Sequence, residues 1–258
     1  MTPVSTGPVP PAAPAPRTPL VSDRGAARHD VLRAEVWSSQ GTTKVLHDAE
    51  IGRAALVGTS TIGGSLRATQ IGARGLLEVV GAFEVQETGT VRGELRAGSS
   101  VHAGELRVQG ILRATGPVRA DRHIEVSGTL EGPSVTAAEA VLEGGILVPD
   151  LIRADRVQLR PADRSRIGRI EGQEVRIRAK VAGPVEALLG APLEVVIGRV
   201  DGARVELEGV QVGLVHADEV VLGRHARVRT VEGTVRSAHR TSHVGPESRS
   251  RPPPGLSR

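Results

Sequence analysis

The chain has 258 residues, of which 39% are hydrophobic and only 1% are Phe, Trp or Tyr. Trp37 and Phe83 are the only two of these aromatic residues, so a core must be built from Val, Leu, Ile and Ala. Cysteine is absent, which excludes disulfide scaffolds, thiolate zinc sites and cysteine nucleophiles. The 33 basic and 29 acidic side chains alternate along the chain with a net charge of +4, which argues against nucleic-acid binding.

Both ends of the chain lack a hydrophobic pattern. Seven of the first nineteen residues are Pro, and residues 239–258 are rich in Ser, Arg and Pro. This composition predicts disordered or polyproline-like tails over residues 1–30 and 239–258. The sequence contains neither a run of 18 apolar residues nor a signal peptide, so we predict a cytoplasmic protein.

The region 31–238 between the tails has the character of short strands. It is dense in Gly and Val and contains no 12-residue stretch of clean helical periodicity. Segments such as 175–178 and 205–208 alternate aliphatic and charged residues, which is typical of strands with one buried face.

A short repeat recurs through this region: an aliphatic residue, any residue, Ala or Gly, two residues of any kind, then Val or Ile. An early copy starts at Leu46, and further copies start at positions 66, 80, 95, 112, 130, 152, 170, 185, 200, 215 and 231. The hexapeptide from Ile167 matches that from Ile197, which we interpret as two periods of fifteen residues. The 22-residue step from Leu130 to Ile152 predicts an insertion there.

A repeat of about 16 residues cannot bury an apolar face alone, so its copies must stack on one another. We therefore predict an all-β fold: a single-stranded parallel β-helix, or β-solenoid, of about 10–13 coils over residues 31–238. At ~4.8 Å per coil, twelve coils give a rod about 58 Å long. The Ala or Gly of each copy is expected at a corner of the coil, and Phe83 is expected in the core.

The chain resembles the bactofilins, bacterial polymer-forming cytoskeletal proteins, over roughly residues 45–235. The likeness rests on Gly-x-aliphatic repeats such as 91–95 and 127–132, on the short coils and on the Pro-rich tails. It implies a right-handed β-helix that joins end to end into non-polar filaments without nucleotide. It also implies a scaffold for cell-shape or envelope-associated proteins, often at the inner face of the membrane. The N-terminal tail lacks the short apolar segment with which family members often contact the membrane.

A solenoid without a cap exposes unpaired backbone groups and apolar core at each end. The sequence shows no amphipathic capping helix, so we predict that further copies of the chain associate with both ends. The predicted polymer-interface residues are Val45, Leu46, Ile51 and Leu56 at one end, and Val220, Leu222, Val228, Val231 and Val235 at the other. The Pro-rich tails are expected to recruit membrane- or cell-wall-associated proteins.

Two other classes of protein stay open: a left-handed hexapeptide-repeat acyltransferase and a monomeric solenoid binding module. The apolar residues do not keep the period of six that the acyltransferase fold needs. His239 and His243 lie four residues apart in the C-terminal tail without a third metal ligand, and His216 with Asp218 is expected on a solvent-exposed face. We predict no catalytic, cofactor-binding or metal-binding residues, and a protein that is not an enzyme.

Overall fold

The computed structural model describes residues 18–162, 164–179 and 195–245, and the backbone of residues 249–250. This part of the chain forms strands and turns and contains no helix, and its strands pair in parallel as a β-solenoid of about 12 turns. The solenoid prediction is thus confirmed. The strands are β1 (Thr18–His29), β2 (Leu32–Val45), β3 (Ala49–Ile62), β4 (Leu66–Val79), β5 (Phe83–Ala97), β6 (Val101–Ala114), β7 (Val118–Glu131), β8 (Ser134–Thr136), β9 (Glu139–Arg153), β10 (Arg156–Pro161), β11 (Arg166–Arg178), β12 (Val196–Glu208), β13 (Gln211–Leu222), β14 (Arg227–Ala238), β15 (His243–Val244) and β16 (Arg249–Ser250).

A typical strand covers three sides of one coil and bends twice, and the third corner lies between one strand and the next. The buried positions of β4 show this, because they come in three pairs separated by exposed or half-buried residues. We call the three sides of the coil A, B and C. In β4 the inward pairs are Leu66 and Ala68 on side A, Ile71 and Ala73 on side B, and Leu77 and Val79 on side C.

The inward side chains of successive coils stack in register and form the core. On side A, Leu66 pairs with Phe83, Phe83 with Val101 and Val101 with Val118. All four side chains have no exposed surface, and so Phe83 lies in the core as predicted. Each coil alone would leave its aliphatic side chains in water, and stacking removes them from it.

One corner, between sides B and C, is built from glycine in eight consecutive coils. Its members have positive φ angles: Gly25, Gly41, Gly58, Gly75, Gly93, Gly110, Gly128 and Gly144. At Gly110, a Cβ would lie 2.0 Å from the carbonyl oxygen of Gly93 in the preceding coil. The coils therefore approach more closely here than any side chain permits. The column ends at Pro161, which pairs with Gly144.

Two of the predicted corner glycines, Gly172 and Gly202, have no positive φ, whereas Gly233 has φ +144°. A Cβ on Gly202 would lie 2.7 Å from the Gly172 carbonyl oxygen of the neighbouring coil and 3.3 Å from a Val205 methyl group. The small residue therefore leaves room for the neighbouring coil and for a core side chain.

The predicted repeat starts mix two sides of the solenoid. The copies at 152, 170, 200, 215 and 231 begin on side A, but Leu95 and Leu112 are register partners on side C. Both sides carry an aliphatic residue followed by a small one, so the pattern alone does not separate them. Val80, predicted as an inward repeat residue, is 57% exposed.

The insertion is also placed differently from the prediction. Between β7 and β9 the register step is 16 residues, as in the pair His123 and Glu139, so the region 130–152 holds no insertion. The long step lies between β11 and β12, where Ile167 pairs directly with Ile197. The two matching hexapeptides are therefore neighbours and not two coils apart. The predicted copy at Val185 lies outside the described residues.

The stack extends further than the hydrophobic pattern predicts. β1 lies within residues 1–30, and β15 and β16 lie within residues 239–258, both predicted as tails. The hydrophobic pattern does not predict β1, because the inward positions of this strand include Asp23 and His29. Backbone pairing with β2 holds β1 on the stack.

Candidate functional site: the ends of the solenoid

The N-terminal end of the solenoid is the outer edge of β1. Among the described residues β1 pairs with β2 alone, so its other edge has no neighbouring strand. Val21 packs against the core from this last coil, while Leu20 beside it is 60% exposed. This edge offers backbone donors and acceptors to a further strand.

A polar group closes the core beneath this edge. The Trp37 indole N–H donates to Asp23 Oδ2 over 2.9 Å, and His29 Nε2 lies 2.9 Å from the same oxygen. Trp37 has no exposed surface, so without Asp23 its N–H would be buried unpaired. The N-terminal end is thus a polar cap and not a bare section of aliphatic core. Sequence reasoning missed this group, although the single Trp of an aliphatic core, 14 residues after an Asp, was a usable signal.

The C-terminal end is formed by β14 and by the two short strands on it. Beyond β14, β15 pairs with Arg227 and Val228, and β16 pairs with Glu232 and Gly233. Residues 234–238 have no strand on that side in the described part of the chain. Val235 and Val244 are partly buried and pack against the end of the core.

The predicted interface residues lie mostly inside the solenoid. Val45, Ile51 and Leu56 belong to the second and third coils, beneath β1 and β2. Only Leu46 and Val235 keep substantial exposed surface. The others are buried in the core: Val45, Ile51, Leu56, Val220, Leu222, Val228 and Val231. Any end-to-end contact therefore meets β1 and β14 to β16 first.

The sides of the rod carry paired charges. On the outside of side A, Arg33, Glu50, Arg67 and Glu84 are successive register partners, so the charge alternates from coil to coil. Arg67 Nε lies 2.9 Å from Glu84 Oε2. Each exposed pair contributes little stability. The alternation is particular to this row, because Arg74 and Arg92 are register partners at the corner between sides B and C.

Two carboxylates have lowered pKa values because arginines hold them. Burial by itself raises the pKa of Asp201, but hydrogen bonds from Arg199 and Arg169, at 2.7 to 2.9 Å, and their charges outweigh it and lower the pKa. A hydrogen bond from Arg96 lowers the pKa of Glu94. Both groups are ionised at neutral pH and are poorly suited to proton transfer there.

His216 and Asp218 lie where the alternating pattern predicts. His216 and Asp218 are exposed, and Val215 and Ala217 between them face the core. Within the described ranges, no group of three or more His, Asp or Glu is arranged to hold a metal ion.

No family model, no curated protein and no solved structure matches the chain. The resemblance to the bactofilins therefore stays a prediction from the residues. In the described residues no helix is long and apolar enough to cross a membrane.

Proposed function

We propose that the chain is a structural protein whose solenoid associates end to end into filaments without nucleotide. One observation carries the proposal. In the described part of the chain the parallel ladder runs from β1 to β14, and its outer strands leave backbone edges without a full partner strand. Another copy of the chain would pair with such an edge in the geometry that already joins the coils.

The composition of the two ends supports different contributions to this contact. At the N-terminal end, Asp23 and His29 line the last coil, so a contact there depends chiefly on backbone hydrogen bonds and on Val21. At the C-terminal end, Val235 and Val244 offer apolar surface. Burial of this surface adds a hydrophobic contribution at the C-terminal end.

The cellular role follows the bactofilin resemblance: a cytoplasmic, non-enzymatic scaffold that holds cell-shape or envelope-associated proteins. The alternating row of Arg and Glu gives the outside of side A no strong net charge, which supports association at the ends over association along this side.

Substitutions at the ends test this proposal in sedimentation velocity runs on the full chain in plain buffer. Val21→Lys and Val235→Lys place a charge at one end each, and Val57→Lys is the matched control, because Val57 is 48% exposed on the side of the rod. We expect fast-sedimenting polymer from the wild type and the control. Each end variant should shift most of the protein to small oligomers. Unchanged polymer in both end variants would contradict end-to-end assembly.

A second function, that of a monomeric binding module, is favoured by one feature of the surface. An apolar groove of about 700 Å³ runs along the corner between sides C and A. A binding module predicts a discrete 26.9 kDa particle in light scattering at all concentrations. Concentration-dependent growth of the scattering mass favours the filament.

A further inference from the structure

The groove between sides C and A is an apolar depression of about 700 Å³. Val80, 57% exposed, and Leu147, 40% exposed, lie at its two ends, and Pro133 and Pro149 line it. Elsewhere on the described surface, Leu20 and Val36, 60% and 40% exposed, are register partners near the N-terminal end, and the other large apolar side chains with this exposure occur singly. Val57, for example, lies between Gln40 and Arg74 in the register.

Three of the four charged side chains that line the groove, Arg96, Arg113 and Glu131, already have ion-pair partners, and the fourth, Glu78, acts on Arg96 through its charge. Arg113 Nε lies 2.9 Å from Glu131 Oε2, and Arg113 Nη1 lies 3.1 Å from Glu94 Oε1. Arg96 Nε lies 2.7 Å from the same Glu94 oxygen, and the Thr115 hydroxyl donates to the carbonyl oxygen of Gly98. An occupant therefore needs no charge of its own, and a neutral apolar segment fits best.

The chain itself contains such a segment. Residues 1–17, outside the described part, hold six prolines together with Val4 and Val9, and Arg17 is their only charged side chain. A second rod is a poorer occupant, because its exposed large apolar side chains are isolated, apart from the single pair Leu20 and Val36. Proline-rich segments bind apolar grooves at low entropic cost because their backbone is already restricted.

The reach of the segment matches the position of the groove. Thr18, where β1 begins, is four register steps from Val85 through Ala34, Ile51 and Ala68. The groove then spans four steps from Glu78 to Leu147. At ~4.8 Å per step, the far end lies about 38 Å along the rod from Thr18. Seventeen residues in a polyproline conformation cover about 53 Å.

We propose that residues 1–17 bind in the groove between sides C and A of their own chain. Residues up to about Ala12 then cover the apolar floor of the groove, and residues 13–17 connect them to the start of β1 at Thr18. This occupancy covers Val80 and Leu147. The inference is independent of the filament proposal.

Cross-linking in the full chain tests the inference. Because the chain has no native cysteine, only the introduced cysteines react with the cross-linker. Gly7→Cys is paired with Thr115→Cys in the groove, and with Val57→Cys as a control on another corner. A short bis-maleimide should convert most of the groove pair into an internally cross-linked monomer, with at least a fivefold lower yield for the control pair. Equal yields, or cross-linked dimers in place of monomers, would overturn the proposal; dimers would assign the groove to a neighbouring copy.

Groove variants provide the second arm of the test. Val80→Asp together with Leu147→Asp should lower the yield of the groove pair at least fivefold, while Val57→Asp leaves it unchanged. Both substitutions are at exposed positions, so the circular dichroism melting curve should stay within a few degrees of the parent. An unchanged yield in a folded double variant would refute binding in this groove.

Discussion

The substitution Gly110→Ala tests the close packing of the coils at the glycine corner. Gly110 has φ +131°, and its new Cβ would lie 2.0 Å from the Gly93 carbonyl oxygen and 2.9 Å from the carbonyl carbon. The backbone conformation alone disfavours Ala by about 1–3 kcal/mol. Relief of the clash requires the coils to separate, which weakens one or two ladder hydrogen bonds at ~1 kcal/mol each. We expect a total loss of about 3–5 kcal/mol.

Two other glycines serve as matched controls for this prediction. Gly25, in the first coil of the same column, has φ +76° but would place its Cβ more than 4 Å from other atoms, so Gly25→Ala should cost only about 1–2 kcal/mol. Gly145 lacks a positive φ, and its Cβ would lie 3.6 Å from Thr129 Oγ1, so Gly145→Ala should change stability by less than about 0.5 kcal/mol.

Urea denaturation followed by far-ultraviolet circular dichroism measures these differences. Since solenoid coils can unfold in groups, hydrogen exchange of the coils around residue 110 should accompany it. A Gly110→Ala protein no less stable than Gly25→Ala would refute the close approach of the coils at this corner.

Three further predictions concern the caps and the core. Asp23→Ala should lower stability by about 1–3 kcal/mol, because it leaves the Trp37 N–H buried without an acceptor, and should alter Trp37 fluorescence; an unchanged emission spectrum and midpoint would contradict the cap. Because the pKa of Asp201 is lowered in the folded protein, its ionised carboxylate stabilises the fold at pH values above its ordinary pKa of 3.8. This stability is lost as the pH falls through the pKa of the folded state. Melting temperatures between pH 5 and 2 should therefore drop more for the wild type than for Asp201→Asn. Val231→Arg buries a charge in the last core layer and should destabilise the C-terminal coils by about 3–5 kcal/mol in thermal melts. A melting curve like that of the wild type would contradict the burial of Val231.

The sequence predicts the architecture because stacked coils demand the same pattern many times. Aliphatic residues at 152, 170, 200, 215 and 231 all lie on side A, and the alternation around His216 places its neighbours correctly. The glycine corner was visible as well, since Gly41, Gly58 and Gly75 are each 17 residues apart. The predicted repeat does not include this corner, because the repeat is defined by inward aliphatic residues and by the small residue two positions after the first of them.

The ends could not be predicted by the same reasoning. An internal coil is covered on both sides and must be apolar inside, whereas the last coil is covered on one side only and tolerates Asp23 and His29. The hydrophobic pattern therefore ends before the backbone ladder does. For this reason the predicted interface residues of the N-terminal end lie one or two coils inside that end. Val80 was misplaced for a related reason: an aliphatic residue at a corner reads as an inward residue although it lines an open groove.

The central claim is assembly through the ends of the solenoid. Negative-stain electron microscopy of the full-length protein, in buffer without nucleotide or metal, tests it most directly. The account predicts thin filaments one solenoid wide, built from rods about 58 Å long at ~4.8 Å per coil. A field of uniform single rods at every protein concentration would contradict it.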